Sequence, residues 1–155
     1  MPLSPQDPDI AQRLGLARML ARRAGALQRE RYETGLTIDT KSATIDLVTE
    51  VDRACEEAIV DGIHAARPGD AILAEEGHGT DDAEAEFRWV VDPLDGTVNF
   101  AHGFPRFCVS IGIERKCETG RERVIGVVLD PLLDERFEAV LGEGAWLGPR
   151  RLSVT

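Results

Sequence analysis

The sequence predicts an α+β fold, in which two N-terminal helices pack on a largely antiparallel sheet of about five or six strands. Helical periodicity dominates the chain before Pro68, and short β-branched segments separated by turn residues dominate it after Gly69. Helices segregated from strands are typical of α+β layers, whereas a parallel sheet alternates the two along the chain. The length of 155 residues suits a single domain, which we place at residues 1–155.

The first helix is predicted from about Asp9 to Glu33, because apolar residues recur there at helical spacing. Asp7 or Asp9 can cap its start, and Gly35 can end it. The opposite face is rich in arginine, and we expect it to be solvated or to form a subunit contact. Its arginines are Arg13, Arg18, Arg22, Arg23 and Arg29.

A polar loop and a second helix are predicted next. The segment Thr34–Thr44 lacks periodicity and is interpreted as a loop carrying Lys41. The second helix is expected to open at Asp46 and to stop before Pro68. Asp52 would lie near its start, where the helix dipole stabilises a carboxylate that need have no further role.

Two predicted strands deliver carboxylates at their ends. Ala71–Ala74 is a short apolar strand followed by Glu75, and Trp89–Val91 runs directly into Asp92. Asp95 follows three residues later, across a tight turn, so the oxygens of the two aspartates can converge on one point. Such oxygen ligands suit a hard divalent cation, and Mg²⁺ is the one that we expect.

The turn after these aspartates can also contact a phosphate. The chain is expected to break at Pro93 and to turn at Gly96, whose N–H can approach an anion closely. Thr97 adds a hydroxyl that can orient a water. Taken alone, the same residues also fit an ordinary Pro-x-Asp-Gly surface turn that binds no metal.

The remaining strands complete the predicted sheet. The charged segment Glu114–Arg123 is expected to form a hairpin between two of them, and glycine-rich turns follow. The predicted strands are Phe107–Ile113, Val124–Leu129, Arg136–Val140 and Arg151–Val154.

Composition limits the classes of partner. The net charge of −10 and pI near 4.8 disfavour binding to nucleic acid or to an anionic membrane surface. No apolar run approaches the length of a membrane span and no signal peptide is recognisable, so we expect a cytoplasmic protein without membrane association. The odd number of cysteines predicts reduced thiols, with Cys108 in the core.

Several motifs in the same order resemble the inositol monophosphatase family of Mg²⁺-dependent, Li⁺-sensitive phosphatases. The resemblance covers Lys41–Thr155, and its main motifs are D-L-V-T-E-V-D at 46–52, the strand ending in Glu75, W-V-V-D-P-L-D-G-T-V-N-F at 89–100, and G-E-G-A-W-L-G at 142–148. It implies the N-terminal half of the sugar phosphatase fold, which inositol monophosphatase and fructose-1,6-bisphosphatase share. The substrate would be a small phosphorylated alcohol or sugar.

The resemblance also implies a set of metal ligands. Glu75, Asp92 and the backbone carbonyl of Leu94 would hold the first Mg²⁺. Asp92 and Asp95 would hold the second. Two such ions could activate a water and stabilise the leaving oxygen.

Catalytic and phosphate-binding roles follow in the same way. Asp52 and Thr97 would polarise the attacking water, while Glu75 would help to hold a third ion through waters. Gly96 and Thr97 would donate N–H groups to the phosphate. Lys41 corresponds to a basic residue on the mobile active-site loop of the family.

One family segment has no counterpart in the sequence. Family members carry a C-terminal half with a W-D-x-A-x-G segment, whose aspartate completes the second metal site, and the sequence reaches Thr155 without it. We therefore expect weak binding of the second metal and little phosphatase activity from the chain alone. A truncated chain, a split enzyme with a complementary C-terminal half, and a homo-oligomer that borrows ligands all remain open.

Three other functions use residues of similar type and can be compared with this sequence. A haloacid-dehalogenase-type phosphatase needs its two aspartates at i and i+2, whereas Asp92 and Asp95 are at i and i+3. An EF-hand needs a glutamate at its twelfth position, where Gly103 stands. A non-catalytic remnant that binds Mg²⁺ or a partner subunit stays as the alternative to an enzyme.

Overall fold

Two long helices precede a seven-stranded sheet in the computed structural model, which describes residues 5–35 and 41–154, with side chains for 5–32 and 48–154. Helix α1 spans Pro8–Gly35 and α2 spans Lys41–Ala66. Both pack on one face of the sheet, α1 against its middle strands and α2 against its second strand. The predicted α+β fold is confirmed.

Helix α1 begins and ends where its sequence predicts. The Oδ1 atom of Asp7 accepts a hydrogen bond of 2.9 Å from the backbone N–H of Asp9, and Pro8 occupies the first helical position. The helix ends at Gly35. Its apolar stripe is buried except for Leu27, which is partly buried. The side chain of Leu20 fills the space above Gly62, so the two helices approach closely.

Helix α2 begins earlier than predicted. It starts at Lys41 rather than at Asp46. The predicted loop Thr34–Thr44 is therefore wrong for residues 41–44, and also for 34–35, which belong to α1; residues 36–40 lie outside the described residues. The first turn lacks apolar periodicity, which is why the sequence pattern missed it. Asp52 consequently lies about three turns into the helix, where the helix dipole no longer explains a carboxylate.

The seven strands are arranged in sequence order across the sheet. β1 and β2 are parallel, and every later neighbouring pair is antiparallel. A short helix, α3 (Thr97–Ala101), follows β2. The strands are β1 (Ala71–Ala74), β2 (Phe87–Asp95), β3 (Cys108–Cys117), β4 (Gly120–Asp130), β5 (Glu135–Val140), β6 (Gly144–Leu147) and β7 (Arg150–Arg151).

Three strand predictions need correction. Pro93 does not end β2, because the strand continues to Asp95 through an irregularity in its pairing with β3. The segment Gly144–Leu147, predicted as part of a turn region, forms β6. The last strand covers only Arg150–Arg151. Proline and glycine often mark irregular backbone, so the sequence predicts turns at Pro93 and Gly144. In the structure both residues belong to strands of the sheet.

The arginine-rich face of α1 is also not simply solvated. Arg13 is buried and its guanidinium forms two hydrogen bonds with the carboxylate of Asp70, of 2.8 and 2.7 Å. It also stacks over the ring of Phe87, with 3.6 Å from its Cζ to the centroid. Arg13 therefore belongs to the core between α1 and the sheet. None of the described helices has an apolar stretch long enough to cross a bilayer.

Candidate active site

Parallel pairing of β1 and β2 brings the first two carboxylates together. Ala74 pairs with Val91, so Glu75 and Asp92 leave neighbouring strands at the same edge of the sheet. Burial, together with the charges of Glu75 and Asp95, raises the pKa of Asp92 to about 6. Acidic side chains at 75 and in the 92–95 corner therefore share one region.

Helix α2 adds a third carboxylate from the opposite direction. Asp52 is buried, with 8% of its surface exposed. Burial raises the pKa of Asp52 to about 7, and the nearby charges of Glu76, Glu75 and Asp92 contribute to the rise. Because a charge acts in this way only at short range, Asp52 faces the strand ends rather than solvent.

Two oxygens in this region lack hydrogen-bond partners. The Oδ1 atoms of Asp52 and Asp92 are both buried, and neither meets a donor in the part of the chain that the structure describes. A buried polar oxygen without a partner costs free energy, so such atoms usually mark a group that a ligand satisfies. An all-oxygen set that includes two unsatisfied carboxylate oxygens fits a hard divalent cation such as Mg²⁺.

The carboxylates are neighbours without being gathered into a closed metal site. Among the described side chains, those of residues 5–32 and 48–154, no three from His, Cys, Asp or Glu lie close enough together to enclose an ion. The residues present therefore match the chemistry of a Mg²⁺ site, while the ligand distances are not those of an assembled one.

Gly96 shapes the corner that follows these aspartates. Its φ of 93° lies in the left-handed region, and a Cβ there would come within 2.9 Å of the carbonyl oxygen of Arg106. Glycine is therefore required by both backbone conformation and space. The short helix α3 begins at the next residue, Thr97, which is half-buried. N–H groups in the first turn of a helix have no partner within that helix, so they can donate elsewhere.

The remaining candidate residues, Asp95, Leu94 and Lys41, differ in their exposure and in how much of them the structure describes. Asp95 is exposed and lies close enough to Asp92 to influence its pKa. The backbone of Leu94 opposes part of the rise in the pKa of Asp92. Lys41 is the first residue of α2, and its side chain lies outside the described side chains.

Sequence reasoning missed Glu56. This residue is fully buried, and its carboxylate accepts hydrogen bonds from the backbone N–H groups of Glu76 at 2.7 Å and His78 at 3.2 Å. The Nδ1 atom of His78 lies 2.6 Å from it. Glu56 therefore ties the segment after Glu75 to α2. The available signal was its position one helical turn after Asp52, on the same helix face.

Cys108 was expected in the core and instead lies beside the acidic residues. It is half-buried, and its Sγ is 3.9 Å from the Oδ2 atom of Asp95. Burial raises the pKa of its thiol to about 12, with further contributions from Asp95, Asp92 and Asp130. The thiol is protonated at neutral pH and so is a poor nucleophile.

Comparison with known proteins identifies the family of the chain. Residues 9–155 match the inositol monophosphatase family. The chain belongs to the inositol monophosphatase family. The match begins well before Lys41, so it also includes most of α1, beyond the motifs that suggested the resemblance.

Two curated relatives and one solved structure illustrate the similarity. The chain is 43% identical over 142 residues to Nus factor SuhB of Pasteurella multocida, covering 91% of this chain and 52% of that protein. It is 39% identical over 145 residues to inositol monophosphatase 1 of Solanum lycopersicum, covering 92% and 51%. The structure of inositol monophosphatase from Anabaena (Nostoc) sp. superposes with a TM-score of 0.78 and 33% identity, covering 95% and 51%. The chain spans about half the length of the curated relatives it matches.

Proposed function

We propose that this chain carries the metal- and phosphate-binding half of a Mg²⁺-dependent phosphomonoester hydrolase. The observation that carries the proposal is the meeting of Asp52, Glu75 and Asp92 from three separate elements, with two buried carboxylate oxygens lacking partners. Such a group is costly to fold unless a cation binds there. The family of the chain supports the same reaction class.

Four residues would hold the metal. Glu75, Asp92 and the carbonyl of Leu94 would bind a first Mg²⁺, and Asp92 with Asp95 a second. Bound Mg²⁺ supplies charge neutralisation at the phosphate and lowers the pKa of a coordinated water. Net charge −10 would otherwise repel a phosphorylated substrate, so the cation also makes substrate binding possible.

The remaining residues would handle water and phosphate. Asp52 would accept the proton of the attacking water, which the hydroxyl of Thr97 would orient. The N–H groups of Gly96 and Thr97 would donate to phosphate oxygens, a placement supported by the tight approach of backbone at Gly96. Lys41 would add a positive charge. Positioning and charge neutralisation are the main requirements of phosphoryl transfer, and no covalent nucleophile is needed.

A second function, binding a partner subunit, is favoured by the other face of the sheet. That face carries no helix among the described residues, and Phe137 and Leu141 on it are 40% and 57% exposed. A shallow groove of about 760 Å³ runs along it. Its lining includes Gly112, Gly126, Val128, Ala139, Leu141 and Ala145.

We propose that this face packs against a complementary half, equivalent to the part of the relatives that the match does not include. An apolar sheet face of this kind is normally covered in a soluble protein. The paired glycines Gly112 and Gly126 leave a flat surface on which another element can lie close. A second copy of the chain is the alternative occupant. A cytoplasmic location and no binding to nucleic acid complete the proposal.

The test is a phosphate-release assay with inositol monophosphate at millimolar Mg²⁺. The chain alone should turn over little substrate, and adding the unmatched half of the Pasteurella multocida relative should produce Li⁺-sensitive hydrolysis. Asp95→Asn should abolish that hydrolysis, whereas the exposed loop variant Asp81→Asn should retain it.

The outcomes separate the two functions. If the two halves associate without hydrolysis, the chain is a binding subunit rather than a catalytic half. Turnover by the chain alone at the level of full-length relatives would show that the complementary half is not required.

A further inference from the structure

We propose that Gln28 of α1 is a positioning residue, which holds the backbone between Asp92 and Asp95 so that both carboxylates face one metal site. The inference rests on the proposed Mg²⁺ function and adds a residue from outside the acidic cluster. Gln28 lies 65 residues before Pro93 in sequence, and its side chain reaches that corner directly.

Two hydrogen bonds connect Gln28 to the corner. Its Nε2 donates to the carbonyl oxygen of Pro93 at 2.7 Å and to that of Cys108 at 3.2 Å. Cys108 is the residue that pairs with Asp95 across β2 and β3. One amide therefore connects both strands at the point where the aspartates lie.

The backbone needs this support because the strand pairing is interrupted there. Asp92 pairs with Ser110 and Asp95 pairs with Cys108, so β2 contains one more residue than β3 across the interval. An extra residue of this kind is a β-bulge, and it leaves backbone groups outside the regular ladder. Gln28 supplies a donor to the buried carbonyl of Pro93.

The bulge determines where the aspartates point. In a regular strand, residues three apart project to opposite faces of the sheet, so Asp92 and Asp95 would diverge. One extra residue changes the alternation: Pro93 and Leu94 are both buried, so Asp95 returns to the face of the strand that Asp92 occupies. Convergence of the two carboxylates thus depends on the bulge that Gln28 holds.

The cost of burying Gln28 points to a specific use. The residue is fully buried, and its Oε1 has no hydrogen-bond partner. An apolar side chain of similar length would avoid that unsatisfied oxygen, while failing to satisfy the Pro93 carbonyl. A polar residue at this buried position is therefore explained by its donor.

The experiment compares two substitutions to methionine on the same helix. Gln28→Met keeps the length of the side chain and removes the donor. Leu20→Met is the matched control, because Leu20 is equally buried two turns earlier and packs against Gly62 instead of the corner. Mn²⁺ binding is measured from the free-ion signal in electron paramagnetic resonance, and amide hydrogen exchange of Leu94 and Asp95 is measured by NMR.

Gln28→Met should weaken Mn²⁺ binding about 10- to 100-fold, the usual effect of removing support behind a metal ligand. Exchange at Leu94 and Asp95 should become roughly tenfold faster. Leu20→Met should change neither quantity. If Gln28→Met does not fold, Gln28→Asn replaces it, since its shorter amide cannot span both carbonyls, and the same changes are expected.

Wild-type Mn²⁺ affinity in a folded Gln28 variant would overturn the inference. If the wild-type chain itself binds no Mn²⁺, the proposed metal site fails, and the exchange rates alone decide whether Gln28 holds the corner. Unchanged exchange at Leu94 and Asp95 would then reject the role of Gln28.

Discussion

Two pairs of carboxylates that are buried or half-buried have opposite kinds of neighbour. Asp70 and Glu138 each meet arginine. Asp70 binds Arg13 and also accepts a hydrogen bond of 2.8 Å from the indole N–H of Trp89, while Glu138 meets two arginines. Asp52 and Asp92 meet mainly other carboxylates.

Glu138 and Asp52 differ in the direction in which their pKa values are shifted. Burial works to raise the pKa of Glu138, but the hydrogen bonds and charges of Arg18 and Arg136 hold it below its ordinary value. Burial raises the pKa of Asp52 to about 7, and no arginine opposes it. The first pair is neutralised from within the chain and contributes to stability. Under the proposed function, a cation from outside the chain would neutralise the second pair.

The largest expected effect comes from removing Arg13, the arginine partner of Asp70. Arg13→Met should lower the free energy of unfolding by about 3–5 kcal/mol, because it leaves the charge of Asp70 buried without a partner. Urea unfolding followed by circular dichroism measures the loss. Arg22→Met, on the exposed face of the same helix, should stay within about 0.5 kcal/mol of wild type. A loss below about 1 kcal/mol in Arg13→Met would mean that the ion pair between Arg13 and Asp70 contributes little to stability.

Mg²⁺ should stabilise the folded protein through Asp52 and Asp92, and not through Asp70 and Glu138. At about 100 times its dissociation constant, Mg²⁺ should raise the free energy of unfolding by about 2.7 kcal/mol, since it binds the folded state. Asp92→Asn should remove most of that increment in paired urea titrations with and without Mg²⁺. Glu138→Gln should lower the starting stability and keep the increment. An equal increment in Asp92→Asn would place the metal elsewhere.

The smallest expected effect is a gradual dependence on pH without divalent cations. A carboxyl whose pKa is higher in the folded state stabilises that state at low pH and loses this contribution as pH rises through the folded value. Stability should therefore fall between the ordinary pKa of 3.8 and about 7, as Asp52 ionises. Thermal unfolding in EDTA measures the slope, which Asp52→Asn should flatten.

Glu138 should produce the opposite dependence. Its lowered pKa contributes stability that is present above the ordinary value of 4.5 and is lost as pH falls through the folded value. Glu138→Gln should remove this loss on the acid side and leave the slope near neutral pH unchanged. Matching pH profiles for Asp52→Asn and Glu138→Gln would contradict the contrast between the two pairs.

Much of the fold and part of the site followed from local sequence patterns. The helical stripe of α1, the strand Ala71–Ala74 and the carboxylates after β1 and β2 were predicted from periodicity and residue type. The glycine at 96 was predicted to turn the chain. These features depend on residues close in sequence, where spacing and propensity carry the information.

Tertiary structure decided the remainder. Arg13 was assigned to a solvated face, but Asp70, 57 residues away, turns it into a buried partner. The sequence explains Asp52 as a residue near the start of α2. In the structure α2 begins at Lys41, so Asp52 lies well inside the helix and near the carboxylates at the strand ends.

The sequence by itself determined which residues carry charge, the order of helices before strands and which family the motifs resemble. Only the tertiary structure decided which carboxylates meet arginine and which meet each other, and that Gln28 reaches the Pro93 carbonyl. The physical reason is that hydrogen bonds and desolvation act over a few ångströms in space. Residues that are 57 or 65 positions apart in the chain acquire them only after the helices pack on the sheet.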